Sequence, residues 1–75
     1  MDVTADEWGA FRVWLVEHGR KAATAQQYSR YARRAIAAGV RSPDDVDGRV
    51  ARSVGERSKA REGLAAYCEF REACA

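Results

Sequence analysis

The sequence predicts an all-α fold, a compact bundle of four helices. Three features point there: apolar residues recur at three-and-four spacing, glycines at 19, 39 and 55 punctuate the chain at helix-length intervals, and no segment shows strand-like alternation. At 75 residues the chain holds one domain, spanning residues 1–75. A chain this short buries only about 60% of the surface its unfolded form exposes, so the core is small. Its 47% apolar and 32% charged content is that of a folded chain rather than a disordered one.

The pattern predicts a first helix over about 4–18, capped by Thr4 or Asp2, with Asp6 and Glu7 in an opening turn where negative charge suits the dipole. Trp8, Phe11 and Leu15 share one face with Trp14 beside them, so this helix supplies most of the aromatic core. Gly19 ends it, and His18 is read as a helix-end side chain that interacts with the dipole. Thr24 is read as the N-cap of a second helix over about 25–38, stopped by Gly39. On a wheel of about 100° per residue, Tyr28, Ala32, Ala35 and Ile36 fall on one side of it; Gln26, Gln27, Arg30, Arg33 and Arg34 fall on the other. Tyr28 and Tyr31 are therefore core or rim aromatics rather than stacking partners for bases.

Ser42-Pro43-Asp44-Asp45 carries the cap, proline and carboxylates of a helix start, and predicts a short third helix over about 43–54. Val46, Val50 and Val54 form its apolar stripe, Gly48 weakens its beginning and Gly55 closes it. Ser58 is read as the cap of a last helix over about 58–74, with Leu64, Tyr67, Phe70 and Cys74 inward and Glu62, Glu69 and Glu72 outward.

Several function classes have no support. No apolar run is long enough to cross a bilayer and the opening Met1-Asp2-Val3-Thr4 is not that of a secretory signal, so the expected location is cytoplasmic, with no membrane partner. Cys68 and Cys74 would stand about 9 Å apart along a helix axis, too far for an unstrained bridge, and are read as reduced packing residues. One histidine and two thiols at unrelated spacing make no metal site, and no cofactor is expected. No paired carboxylates, phosphate loop or nucleophile elbow points to catalysis.

Charge distribution is more informative than the net charge of +2. From His18 to Pro43 the basic residues Arg20, Lys21, Arg30, Arg33, Arg34 and Arg41 have no acidic neighbour, while the rest of the chain is net acidic. Such asymmetry predicts one surface built for an anion. The second helix is the main candidate, with Lys21 and Thr24 at its N-terminal edge and Gln26, Gln27, Arg30, Arg33 and Arg34 along it. Arginine there can reach phosphates or guanine edges, and glutamine can pair with adenine. Arg57, Lys59 and Arg61, around the start of the last helix, form a second candidate cluster beside free backbone N–H groups.

Phe11-x-x-Trp14-Leu15, Gly19, Thr24 and Tyr28, followed by Leu64, Tyr67 and Phe70 in a closing helix, resemble the core-binding domain of tyrosine recombinases of the phage-integrase family. The resemblance covers nearly the whole chain, although each of its positions is also an ordinary cap or core position. It implies an orthogonal, SAM-like four-helix bundle that closes over double-stranded DNA, opposite a catalytic domain. Two departures stand out: Ala32 and Ala35 replace larger apolar residues, and Lys21-Ala22 occupies a turn that is often Ser-Pro. The Arg, His and Tyr set that a recombinase needs to form its covalent intermediate has no counterpart here, so the expectation is DNA binding without catalysis. The alternative is a small helical adaptor that docks on another protein, a recombinase domain among the candidates. An exposed Val13 or Trp14 would favour it.

Overall fold

A computed structural model describes the backbone of residues 3–74 and the side chains of residues 7–73. Over these residues the chain is helical, with α1 at Val3–Glu17, α2 at Ala22–Ala37, α3 at Val54–Cys74 and one turn of 3-10 helix at Pro43–Asp45. The bundle thus has three α-helices where the sequence predicts four.

Two of the three glycine stops act as the sequence predicts, whereas Gly55 lies inside the first turn of α3 and stops nothing. Gly19 and Gly39 sit at φ of +92° and +85°, a left-handed conformation that a Cβ would strain. Arg20 N–H donates to the Leu15 carbonyl at 3.0 Å while Gly19 N–H donates to Val16, and the same crossed pair recurs at Val40 to Ala35 and Gly39 to Ile36. These reversals occupy carbonyls that each helix end would otherwise leave unpaired. His18 Nδ1 lies 2.7 Å from the Trp14 carbonyl, so the ring meets the C-terminal end of α1.

The predicted third helix is corrected. Ser42 does cap a turn, accepting from Asp44 N–H at 3.4 Å with Pro43 in the first position, but Val46 is already extended at φ −65° and ψ 124°. Asp47 then accepts Arg49 N–H at 2.9 Å on Oδ1, a local turn that competes with helix, and Gly48 adds the entropy cost of glycine. Val46 and Val50 are buried, but Val54 is 72% exposed, so the four-residue spacing of the valines is not a helical stripe.

The caps assigned to the other helices also shift. Thr4 lies inside α1, and Asp2 lies outside the described residues. Helix α2 begins three residues early: Lys21 is the extended N-cap without a side-chain hydrogen bond, so Thr24 is helical rather than capping. Ala22 and Ala23 are strong helix formers and carry the first turn without help. Helix α3 begins at Val54, where Ser53 Oγ accepts from Glu56 N–H at 3.1 Å, leaving Ser58 within the helix. Ser53→Ala is therefore expected to cost about 1 kcal/mol and to lower the melting temperature by roughly 4–8 °C, whereas Ser58→Ala leaves it nearly unchanged. Thermal melts followed by circular dichroism check both.

Small residues let α2 and α3 approach closely. Ala25, Ser29, Ala32 and Ala35 of α2 and Ala60, Gly63 and Leu64 of α3 are all buried. Helix α1 closes the core with aromatics: Trp8 stacks on Tyr67 at 4.5 Å, and Phe11 meets Tyr67 at 5.4 Å and Phe70 at 5.3 Å. Such pairs add about 0.5–1.5 kcal/mol each beyond the area they bury. Trp8 Nε1 is buried with no acceptor among the described residues. Cys68 is a free, half-buried thiol 4.0 Å from the Arg41 carbonyl oxygen; the Cys74 side chain lies outside the described ones. No described helix is long and apolar enough to cross a membrane.

Candidate nucleic-acid interface

Helix α2 turns its apolar side inward and its basic side out. Tyr28, Ala32 and Ala35 are buried and Ile36 is half-buried, whereas Gln26, Gln27, Arg30, Arg33 and Arg34 are exposed. Because α2 is held against α3 through its buried side, those five polar side chains share one solvent-facing surface. Among the described residues the ion pairs are Arg49 with Asp47 and Arg71 with Glu7, so no arginine of this face is tied to a carboxylate. Arg34 has one aromatic neighbour, its guanidinium carbon lying 5.4 Å from the Tyr31 ring centre.

Other predicted contacts stand apart from that face. Lys21 is exposed at the start of α2. Thr24 is half-buried and lies about 120° round the helix from Arg30, on the flank rather than the centre of the basic surface. Arg57 and Arg61 are one turn apart and share a face of α3, but Lys59 projects about 160° away from both, so the three do not form one cluster. Arg57 is half-buried, while Lys59 and Arg61 are exposed.

Arg20 takes a different position from the rest of the acid-free run. Its guanidinium sits 5.5 Å from the Tyr28 ring centre, and Tyr28 donates its hydroxyl to Glu62 Oε2 at 3.0 Å. Together with Glu69 these groups line a recess in which Arg20 has carboxylates for neighbours. Burial, then the hydrogen bond to Glu62, raises the Tyr28 phenol above its ordinary value. Tyr31 is half-buried and packs on the core, the rim position expected of it.

Two basic residues that the sequence reading passed over belong near the site. Arg34, Arg49 and Arg52 line a depression of about 440 Å³ between the end of α2 and the start of α3, and the Glu56 carboxylate lines it with them. Arg49 is fixed there by donating Nε–H to both Asp47 oxygens, at 3.1 and 3.2 Å. The Arg49 side-chain bond, then the backbone bond from the same residue, holds the Asp47 carboxyl below the usual carboxylate range. The loop therefore extends the basic surface of α2 towards α3, a juxtaposition the assumed helix over 43–54 concealed.

No protein-family model matches the chain, and no curated protein or solved structure matches it either. Among the described residues no three His, Cys, Asp or Glu side chains gather as a metal site.

Proposed function

We propose that the chain is a non-catalytic module that grips double-stranded DNA through the outer face of α2, of the kind that precedes the catalytic domain in tyrosine recombinases. One observation carries this reading: Arg30, Arg33 and Arg34 stand together in solvent with no carboxylate partner among the described residues. Like charges three and four residues apart on a helix repel by a few tenths of a kcal/mol per pair. Among the described residues no carboxylate pairs with these arginines to offset that cost. An external polyanion does, and a duplex offers one phosphate for about every 1.7 Å of its axis.

On this reading α2 lies in or across the major groove, which is wide enough for a helix, with Gln26 and Gln27 reaching base edges and the arginines reaching phosphates or guanine. Arg49 and Arg52, which share a depression with Arg34, add backbone contacts, whereas Arg57 and Arg61 lie on the side of α3 turned away from α2 and are left out of this surface. The proposed likeness to the SAM-like core-binding domain draws on the aromatic α1 packed against Tyr67 and Phe70 of α3, and on the reversal at Gly19. It requires the third helix of that bundle to be reduced here to the Pro43–Asp45 turn. A recombinase catalytic domain is the protein partner this implies.

A titration of the chain against a short labelled duplex at several salt concentrations tests the proposal. With about four phosphate contacts the logarithm of the affinity falls with a slope of roughly 3 to 4 against the logarithm of salt. Absence of binding at low salt, or binding indifferent to salt, overturns the reading. The adaptor alternative draws on another face: Val13 and Val16 are 58% and 48% exposed, whereas Trp14 is half-buried against Phe11 and Phe70.

A further inference from the structure

We infer that a second copy of this chain docks on the outer face of α1, with the two α1 helices side by side and parallel. Its evidence lies on α1 and does not rest on the DNA reading, although Gln26 borders both surfaces. Val13 and Val16 are two of the three large apolar side chains most open to solvent among the described residues, and both point away from the core that Trp8, Phe11 and Leu15 fill. Gly9 lies one turn earlier on the same stripe, and a Cβ there would meet nothing within 4 Å. Two turns of α1 thus present a smooth apolar strip. At its C-terminal end Ala22, Ala25 and Gln26 of α2 widen the strip into a groove of about 490 Å³.

The flanks of the strip identify the occupant. Arg12 borders it on one side and Glu17 on the other, and neither is in an ion pair among the described residues. Gly9, Val13 and Val16 follow the d, a, d spacing of a coiled-coil seam, which places Arg12 at g and Glu17 at e. In a parallel pair about a twofold axis along the helices, each Arg12 edge faces the partner's Glu17 edge, five residues further along. An antiparallel pair instead sets Arg12 edges against each other and Glu17 edges against each other. The surface is therefore complementary to itself in one orientation only. With a total accessible surface of 4997 Å² and one short strip in contact, the pair is a weak one that concentration or a shared ligand brings together.

The test combines solution mass with cross-linking. Sedimentation equilibrium up to about 1 mM is expected to show a reversible dimer that Val16→Glu abolishes and Arg12→Glu weakens about tenfold. Combining Arg12→Glu with Glu17→Arg restores it. All these positions are exposed, so circular dichroism should show unchanged folding. In a Cys68→Ser, Cys74→Ser background, oxidation should link Val13→Cys chains to one another and Val16→Cys chains to one another. A monomer at the highest concentration overturns the inference. So does preferential linkage of Val13→Cys to Val16→Cys, the pattern of an antiparallel seam, or failure of the charge exchange to restore the pair.

Discussion

Gly63→Ala is expected to destabilise the domain by about 2 kcal/mol, and Gly63→Val to unfold it at room temperature. The usual effect of replacing a mid-helix glycine by alanine is a gain of about 0.5–1 kcal/mol, because alanine has less backbone entropy to lose. At Gly63 that gain is overwhelmed. A Cβ there would sit 2.8 Å from the Tyr28 carbonyl oxygen and 3.2 Å from its Cα, both backbone atoms of α2 that no rotamer change can move. The two helices must separate, and Ala32, Ala60 and Leu64, all fully buried, lose contact as they do. A domain of this length has a total stability of about 4 to 11 kcal/mol, and the larger clash of a valine at this position is expected to cancel it. Gly9→Ala supplies the contrast, since its Cβ meets nothing within 4 Å and the helix gains. Thermal melts should show the two alanine variants moving in opposite directions, with Gly63→Ala lower by roughly 10 °C. Equal shifts of the same sign would mean that the α2–α3 crossing is looser than its geometry indicates.

What was legible in the sequence is what local chemistry determines. The inward faces of α1 and α2, the inward Leu64, Tyr67 and Phe70, and both glycine reversals follow from periodicity and from the freedom of glycine at positive φ. The third helix failed for a physical reason: a valine every fourth residue satisfies a helical pattern, but the Asp47 side chain captures a backbone N–H and bends the chain first. Ser53-x-x-Glu56 is the cap signature of α3, and reading Gly55 as a stop obscured it. Helical arithmetic alone separates Lys59 from Arg57 and Arg61; sequence adjacency does not. The meeting of Arg34 with Arg49 and Arg52, and the backbone of Tyr28 lying over Gly63, are tertiary facts that no local pattern encodes.

Reversing Arg30, Arg33 and Arg34 together to glutamate is expected to lower affinity for duplex DNA by at least about 100-fold near 100 mM salt and to reduce the salt slope by close to 3. Three phosphate contacts are lost, and three carboxylates are placed where they face the polyanion. The fold should tolerate the change, since all three side chains are exposed and none is in an ion pair among the described residues. Like-charge spacing within the helix is preserved, but a glutamate at 34 opposes the dipole in the last turn and loses the Tyr31 contact, so a loss of about 1 to 2 kcal/mol is expected, and circular dichroism checks that the variant remains folded. Arg71→Gln with its fold checked by circular dichroism is the control, because it removes a charge near the far end of α3 without setting a carboxylate against the half-buried Glu7 that Arg71 meets there. If net charge alone governed binding, each unit of positive charge removed would weaken it by the same factor wherever it lay. If the α2 face is the contact surface, the triple variant loses nearly all affinity while Arg71→Gln retains most of it. Intact affinity in a folded triple variant would remove α2 from the interface and, with it, the basis for reading this domain as a DNA-binding module.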